Sequence, residues 1–161
     1  MTRFIPLLAL LLLSACSSKP VLQAEAANTE LTPKQVVEGG ISLQGNRVVW
    51  GGIIVNTTNL KEQSRIEVLA YPLDSNLRPQ IGKSAGNRFL AYQQGYLESV
   101  DYTAGRQVSM VGVVTGIEEG RLGEHHYSYP ALAIEQLHLW PVEREEPKSR
   151  LQFGIGVMFH N

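Results

Sequence analysis

The sequence predicts an all-β fold, a small antiparallel Greek-key barrel entered through one short N-terminal helix. Three observations carry this. Five segments between residues 47 and 140 are rich in β-branched and aromatic residues, some alternating apolar and polar with period two. Glycines fall inside the first and the fourth, where a strand has to bend for a sheet to close. Only one short stretch carries helix start and stop signals, so helical bundles and alternating strand–helix classes are excluded.

In chain order, Leu31-Thr32-Pro33-Lys34-Gln35-Val36 is a capping box with a hydrophobic staple. Thr32 caps, Pro33 fits the first helical position, Gln35 reaches back and Leu31 touches Val36. Gly39-Gly40 stops the helix after about two turns, which makes it a lid or plug on the domain. Arg47–Val55 is the first strand, bent or bulged at Gly51-Gly52. After polar turn material from Thr57 to Gln63, Ile66, Val68 and Ala70 alternate with Arg65, Glu67 and Leu69, a second strand with one buried face. Leu73–Asn87, with Pro79, Gly82 and Gly86, is a long loop of the kind that often carries function.

Arg88–Gln94 is the third strand and Gln107–Gly116 the fourth, and Glu118–Glu124 is a polar, glycine-punctuated hairpin loop. The fifth strand, Tyr127–Trp140, has a first part that Pro130 confines to a sheet edge or bulge. Five such strands with a long connection between the second and third describe an OB-like barrel, with an open sandwich as the runner-up.

The barrel domain occupies residues 31–142. Ahead of it, residues 1–15 read as a signal peptide: Phe4–Leu13 is an apolar run behind Arg3, shorter than the roughly 20 residues a membrane-spanning helix needs. Residues 16–30 are polar and Ala-rich, a flexible linker. Behind the barrel, residues 143–161 comprise a mixed-charge linker, Glu143–Arg150, and a tail. In that tail Leu151, Phe153, Ile155, Val157 and Phe159 alternate with Gln152, Gly154, Gly156, Met158 and His160, the pattern of a sixth strand or of a partner- or membrane-contact segment. A formal net charge of −1 offers no basic field, so nucleic acid is excluded as a partner. Cys16 is the only cysteine, so the core holds without disulfides.

Few residues are candidates for chemistry. Gly82-Lys83-Ser84-Ala85-Gly86 matches the nucleophile-elbow pattern, which needs a strand before the serine and a helix after it. Here a strand follows, so Ser84 reads as a loop tip. Glu124-His125-His126 is compact, but adjacent strand residues face opposite ways, so only Glu124 and His126 share a face. Zinc sites gather three or four ligands, and the three residues read as hairpin-end polar groups with no metal or cofactor. His138 beside Trp140 reads as a packed strand residue. Trp50, Tyr92, Tyr96, Tyr127 and Tyr129 are candidates for an aromatic ligand platform of the kind OB barrels present, set against the commoner role of strand aromatics as core.

Leu13-Ser14-Ala15-Cys16 resembles the lipobox of bacterial lipoprotein precursors. The resemblance implies that Cys16 carries S-diacylglycerol and N-acyl (palmitate-type) chains after cleavage before it. Ser17, where an Asp would imply inner-membrane retention, implies the outer membrane and its periplasmic leaflet. A wider resemblance runs through Trp50-Gly51-Gly52-Ile53, Tyr71-Pro72-Leu73-Asp74, Arg78-Pro79, Gly95-Tyr96-Leu97, Asp101-Tyr102, Gly112–Gly116, Gly123-Glu124 and Leu139-Trp140. On these residues the chain resembles the Slp family of starvation-inducible outer-membrane lipoproteins, departing at Glu98-Ser99, where members commonly show Asp-Pro.

The resemblance implies an outer-membrane lipoprotein of starved or stationary-phase cells with no established catalytic activity and no active-site template. The expectation is therefore a non-enzymatic envelope protein, lipid-anchored and periplasm-facing, whose partner is an envelope protein or a cell-wall glycan. The alternative is a small periplasmic hydrolase or metal-dependent enzyme working through Ser84 or the Glu124–His126 group. The mature protein is expected to begin at an acylated Cys16. Intact-mass measurement checks this, and Cys16→Ala is expected to release the domain from the membrane.

Overall fold

An odd number of strands cannot close into a ring with every neighbour antiparallel, and this chain has five. In the computed structural model, which describes residues 20–142, they are β1 (Arg47–Asn59), β2 (Gln63–Ala70), β3 (Arg88–Gln94), β4 (Gln107–Leu122) and β5 (His125–Leu139). Their order in space is β1-β2-β3-β5-β4, with β4 returning to β1 to close a barrel. The all-β Greek-key barrel expected from the sequence is found. Its pairing is antiparallel except between β3 and β5, which run parallel over Leu90–Tyr92 and Ala131–Ala133. That one parallel pair is what the odd ring requires.

β1 serves two neighbours, β4 through Arg47–Ile53 and β2 through Gly52–Asn59. It creases where these spans meet. A side chain at Gly52 would collide with the Leu69 carbonyl, and one at Gly112 of β4 with the Ala133 carbonyl, so only glycine lets the strands approach this closely. Register shifts at Ile54/Asn56 in β1, at Val114/Gly116 in β4, and at Glu135 of β5 opposite Val111/Gly112, add the curvature.

The inner faces then meet. Ile66, Val68 and Ala70 of β2 face Phe89 and Ala91 of β3, Val48, Trp50 and Ile54 of β1, Val108, Met110 and Val114 of β4, and Leu132 of β5. Trp50 stands edge-on to Phe89, with ring centroids 5.1 Å apart. Its indole N–H donates to the Leu31 carbonyl at 2.6 Å, which satisfies the one polar atom this side chain takes inside. Helix α1 (Pro33–Gly39) follows at once. Its capping box is complete: the Gln35 N–H donates to the Thr32 hydroxyl at 3.3 Å and the Thr32 N–H to the Gln35 side chain at 2.8 Å. Val36 is fully buried in the core, so the helix is the expected plug.

Three boundaries differ from the sequence reading. Thr57 belongs to β1, not to a turn. Most of Glu118–Glu124 is strand: β4 and β5 run on as a two-stranded ribbon to a two-residue turn at Gly123-Glu124, where Gly123 takes φ 62°. Glu118, Glu119, Gly120 and Arg121 in its β4 half leave no apolar alternation to read. Pro130 sits where expected, beside the Val114/Gly116 irregularity, and β5 has no β3 partner on its N-terminal side.

The third difference concerns residues 20–30, read as part of a flexible linker. They lie along the outside of β1. Asn28 bridges to Val48 in parallel sense, and Leu22 is buried on Val49 and Val111 with Leu73 and Leu77 around it. The Arg47 guanidinium donates to the Glu25 carbonyl at 2.6 Å and pairs with Glu135 at 2.7 Å, and the Gln23 N–H donates to the Gln136 side chain at 2.9 Å. Val21 and Leu22 stand alone among alanines and polar residues and create no period, so nothing in the sequence marks this strap. Cys16 and residues 143–161 lie outside the described residues. Leu22→Ala is expected to cost about 2 kcal/mol, the low end for a buried leucine in a small cluster; a chemical-denaturation midpoint checks it, since a free spacer would show no change.

Candidate functional site

The chemical motifs do not assemble. Ser84 stands exposed on the loop between β2 and β3 and lines a cavity of about 310 Å³ with Leu31, Pro33, Trp50, Tyr71 and Leu73. No histidine or carboxylate lines that cavity, and its one amine, Lys34, is paired with Glu38 at 3.7 Å. His125 and His126 sit exposed at the tip of the β4–β5 ribbon, opposite Leu122 and Arg121, with Glu124 in the turn. Among the described residues, no three His, Cys, Asp or Glu side chains are grouped to hold a metal ion. His138 stacks edge-on against Trp140 at 4.5 Å, and burial lowers its pKa.

The aromatic candidates part company. Trp50 is core, and Tyr96 is exposed in the loop after β3. Tyr127 and Tyr129 pack on each other at 4.6 Å in the ribbon. The Tyr127 oxygen accepts from the Arg88 N–H at 2.8 Å, and the Tyr129 hydroxyl donates to the Arg121 carbonyl at 3.3 Å, so both are used internally. Tyr92 remains. It points outward from β3, and its hydroxyl donates to Glu118 of β4 at 2.8 Å, passing over the intervening strand β5.

Around this bridge lies a groove of about 380 Å³ lined by Gln63, Tyr92, Gln94, Thr115, Glu118, Ala133 and Ile134. The pairing builds it. Gln63 and Gln94 are opposite each other across β2 and β3, which brings two side-chain amides together. Ala133 opposite Tyr92 keeps the floor low. Nearby on β2 and β3, Arg88 pairs with Glu67 at 2.8 Å, both half-buried. The Tyr92 phenol is held protonated above its ordinary range, first by burial and then by the hydrogen bond and negative charge of Glu118, with Arg65 opposing. Amides, a phenol, a hydroxyl and a carboxylate can together bind a hydroxyl- or amide-rich ligand. Tyr92 and Glu118 are hydrogen-bonded, but the raised phenol pKa disfavours the phenolate that a nucleophile would need.

Of these groove residues only Tyr92 stood out in the sequence. Gln63, Gln94, Thr115 and Glu118 become a set only through strand register, which no local spacing reveals.

Comparison with known proteins now bears on the whole chain. A family model described as "Outer membrane lipoprotein Slp family" matches residues 13–159. The chain belongs to that family. Within Escherichia coli K12, it is 26% identical to "Uncharacterized lipoprotein YeaY" over 84% of this chain and 70% of that protein. It is 29% identical to "Outer membrane protein Slp" over 80% of this chain and 69% of that protein. An "Uncharacterized protein" of Haemophilus influenzae is 33% identical over 56% of this chain and 49% of its own length. Among solved structures, "OBody AM3L09 bound to hen egg-white lysozyme" aligns with 65% of this chain and 90% of its own, at TM-score 0.40 and 13% identity.

Burial also raises the Tyr102 and Tyr129 phenols. For all three tyrosines the folded state favours the protonated form, so their contribution to stability is full below the unfolded value near 10 and is lost as pH rises through the higher folded-state values. Alkaline titration followed by tyrosinate absorbance is expected to show three late-titrating groups. Glu118→Gln should move Tyr92 part of the way back while leaving the other two in place.

Proposed function

We propose that this Slp-family protein is acylated at Cys16, faces the periplasm from the outer membrane, and acts as a non-catalytic binding protein in starved or stationary-phase cells. Its ligand is a hydroxyl- and amide-rich chain, most simply cell-wall glycan, held in the Tyr92–Glu118 groove. The observation that carries this reading is the bridge itself: a half-buried phenol and a carboxylate on the outer faces of β3 and β4, flanked by Gln63, Gln94 and Thr115. Faces and loops of small OB-type barrels serve oligosaccharides in this way. A tethered binder needs little intrinsic affinity, because confinement at one membrane raises the effective concentration of its neighbours.

The non-enzymatic part of the reading draws support from Ser84, whose cavity holds no histidine or carboxylate and whose one amine, Lys34, is paired with Glu38, and from the separation of that cavity from the ribbon histidines. Nuclear magnetic resonance titration of the unlipidated Cys16→Ser chain with soluble cell-wall glycan strands tests the proposal. Shifts are expected to centre on Gln63, Tyr92, Gln94 and Thr115. Tyr92→Ala and Glu118→Gln should each weaken binding about tenfold, or ~1.4 kcal/mol. Absent binding, or binding indifferent to both substitutions, overturns the glycan reading. Glycan cleavage lost in Ser84→Ala or His126→Ala would overturn the non-catalytic one.

A further inference from the structure

Both ends of the described chain leave from the same face of the barrel. At the N-terminal end, Leu22 is held over Val49 of β1 and Val111 of β4, beside Leu77. At the C-terminal end, the Trp140 N–H donates to the Gln107 carbonyl of β4 at 2.9 Å and its indole donates to the Ser109 hydroxyl at 2.9 Å. Ser109 in turn donates to the Leu77 carbonyl, and the Arg78 guanidinium lies 5.4 Å from the Trp140 ring. Strap, loop and Trp140 therefore form one layer over the outer side of β1 and β4. The ring order places β3, which carries Tyr92, across the barrel from that pair.

The length of chain outside this layer matters as much as its position. From Cys16 to Leu22 the backbone spans at most about 20 Å fully extended. A domain of this size has a radius of gyration of roughly 14 Å and is about 35 Å across. A leash shorter than the body it holds does not let that body turn over. Val21, next to the docked leucine, and Val142, just past Trp140, are both exposed. Beyond Val142 the sequence continues through the charged stretch 143–150 to the alternating apolar residues Leu151 to Phe159.

We infer that the β1–β4 face is the membrane-proximal side of the protein, seated on a lipid surface by two attachments: the short leash from Cys16 and the apolar segment 151–159. This rests on the acylation of Cys16 proposed above. It leaves the Tyr92 groove of β3 turned toward the periplasm.

Because acylation consumes the only native thiol, a single introduced cysteine can be labelled uniquely. Ser75→Cys marks the loop over the β1–β4 face and Gln94→Cys marks the far side. The lipidated full chain is reconstituted in phosphatidylethanolamine–phosphatidylglycerol vesicles carrying an acceptor-labelled lipid, and energy transfer from each position is measured. Over a separation approaching one domain diameter, transfer from Ser75 is expected to exceed that from Gln94 about twofold or more. Deleting residues 151–161 should reduce the ratio, and combining that deletion with about twenty added Gly/Ser residues after Ser18 should bring it to unity.

Equal transfer from the two positions, or a ratio indifferent to both changes, overturns the inference. The unlipidated Cys16→Ser chain is expected to retain weak vesicle binding that is lost when residues 151–161 are removed. Binding unaffected by that removal, as when the segment instead pairs with a sheet edge, overturns the second attachment. An intact mass without acyl chains defeats the acylation reading separately from either result.

Discussion

β1 must pair with two neighbours at once, and the crease at Gly51-Gly52 that makes this possible sets the rest of the molecule. A strand without it would either leave β2 or leave β4, and the sheet would stay open with two unpaired edges. With it, Trp50 is carried inward against Phe89 and its indole reaches the Leu31 carbonyl. That bond fixes the residue before the Thr32 cap, and so delivers Val36 of α1 into the core. The lid is thus a consequence of closure rather than an independent element.

What could be read from the sequence was whatever is local. The Ile66-Val68-Ala70 alternation, the Thr32–Gln35 box, the Gly51-Gly52 bend and Pro130 each announce themselves within a few residues. The strap was invisible because a single leucine carries its burial. The β4 half of the β4–β5 ribbon reads as a loop because Glu118, Glu119, Gly120 and Arg121 show no apolar alternation. The Tyr92–Glu118 bridge joins residues far apart in sequence through an ordering of strands that no window shows. The parallel β3–β5 pair follows from counting, but only once closure is known. The Slp-family resemblance, carried mostly by turn and strand-bend residues, agrees with a family match over residues 13–159.

The core and the proposed binding groove occupy opposite faces of the same strands. The core is held by Phe89, Ile66, Met110 and their neighbours on the inner faces, whereas the groove stands on the outer faces of the same strands. A partly exposed hydrogen bond such as Tyr92–Glu118 contributes on the order of 1 kcal/mol to folding. Changes in the groove therefore leave the barrel standing. The rigidity behind them keeps the polar groups in place, which is what a binding site needs from its scaffold.

The pairing of β1 with β4 also sets an order of events in time. The chain is made from its N-terminus, so β1, β2 and β3 exist before their closing partners do. They can form a meander early, since each pairs with the next through a nearby turn or loop. Yet Arg47–Ile53 finds Val113–Gln107 only after the third strand and the loop beyond it have been laid down, at the entropic cost of closing that long loop. Until then the inward side of three strands faces water, with free edges on both sides. The half-built sheet is thus the form most prone to stick to a neighbour, and the arrival of β4 and β5 ends that vulnerability.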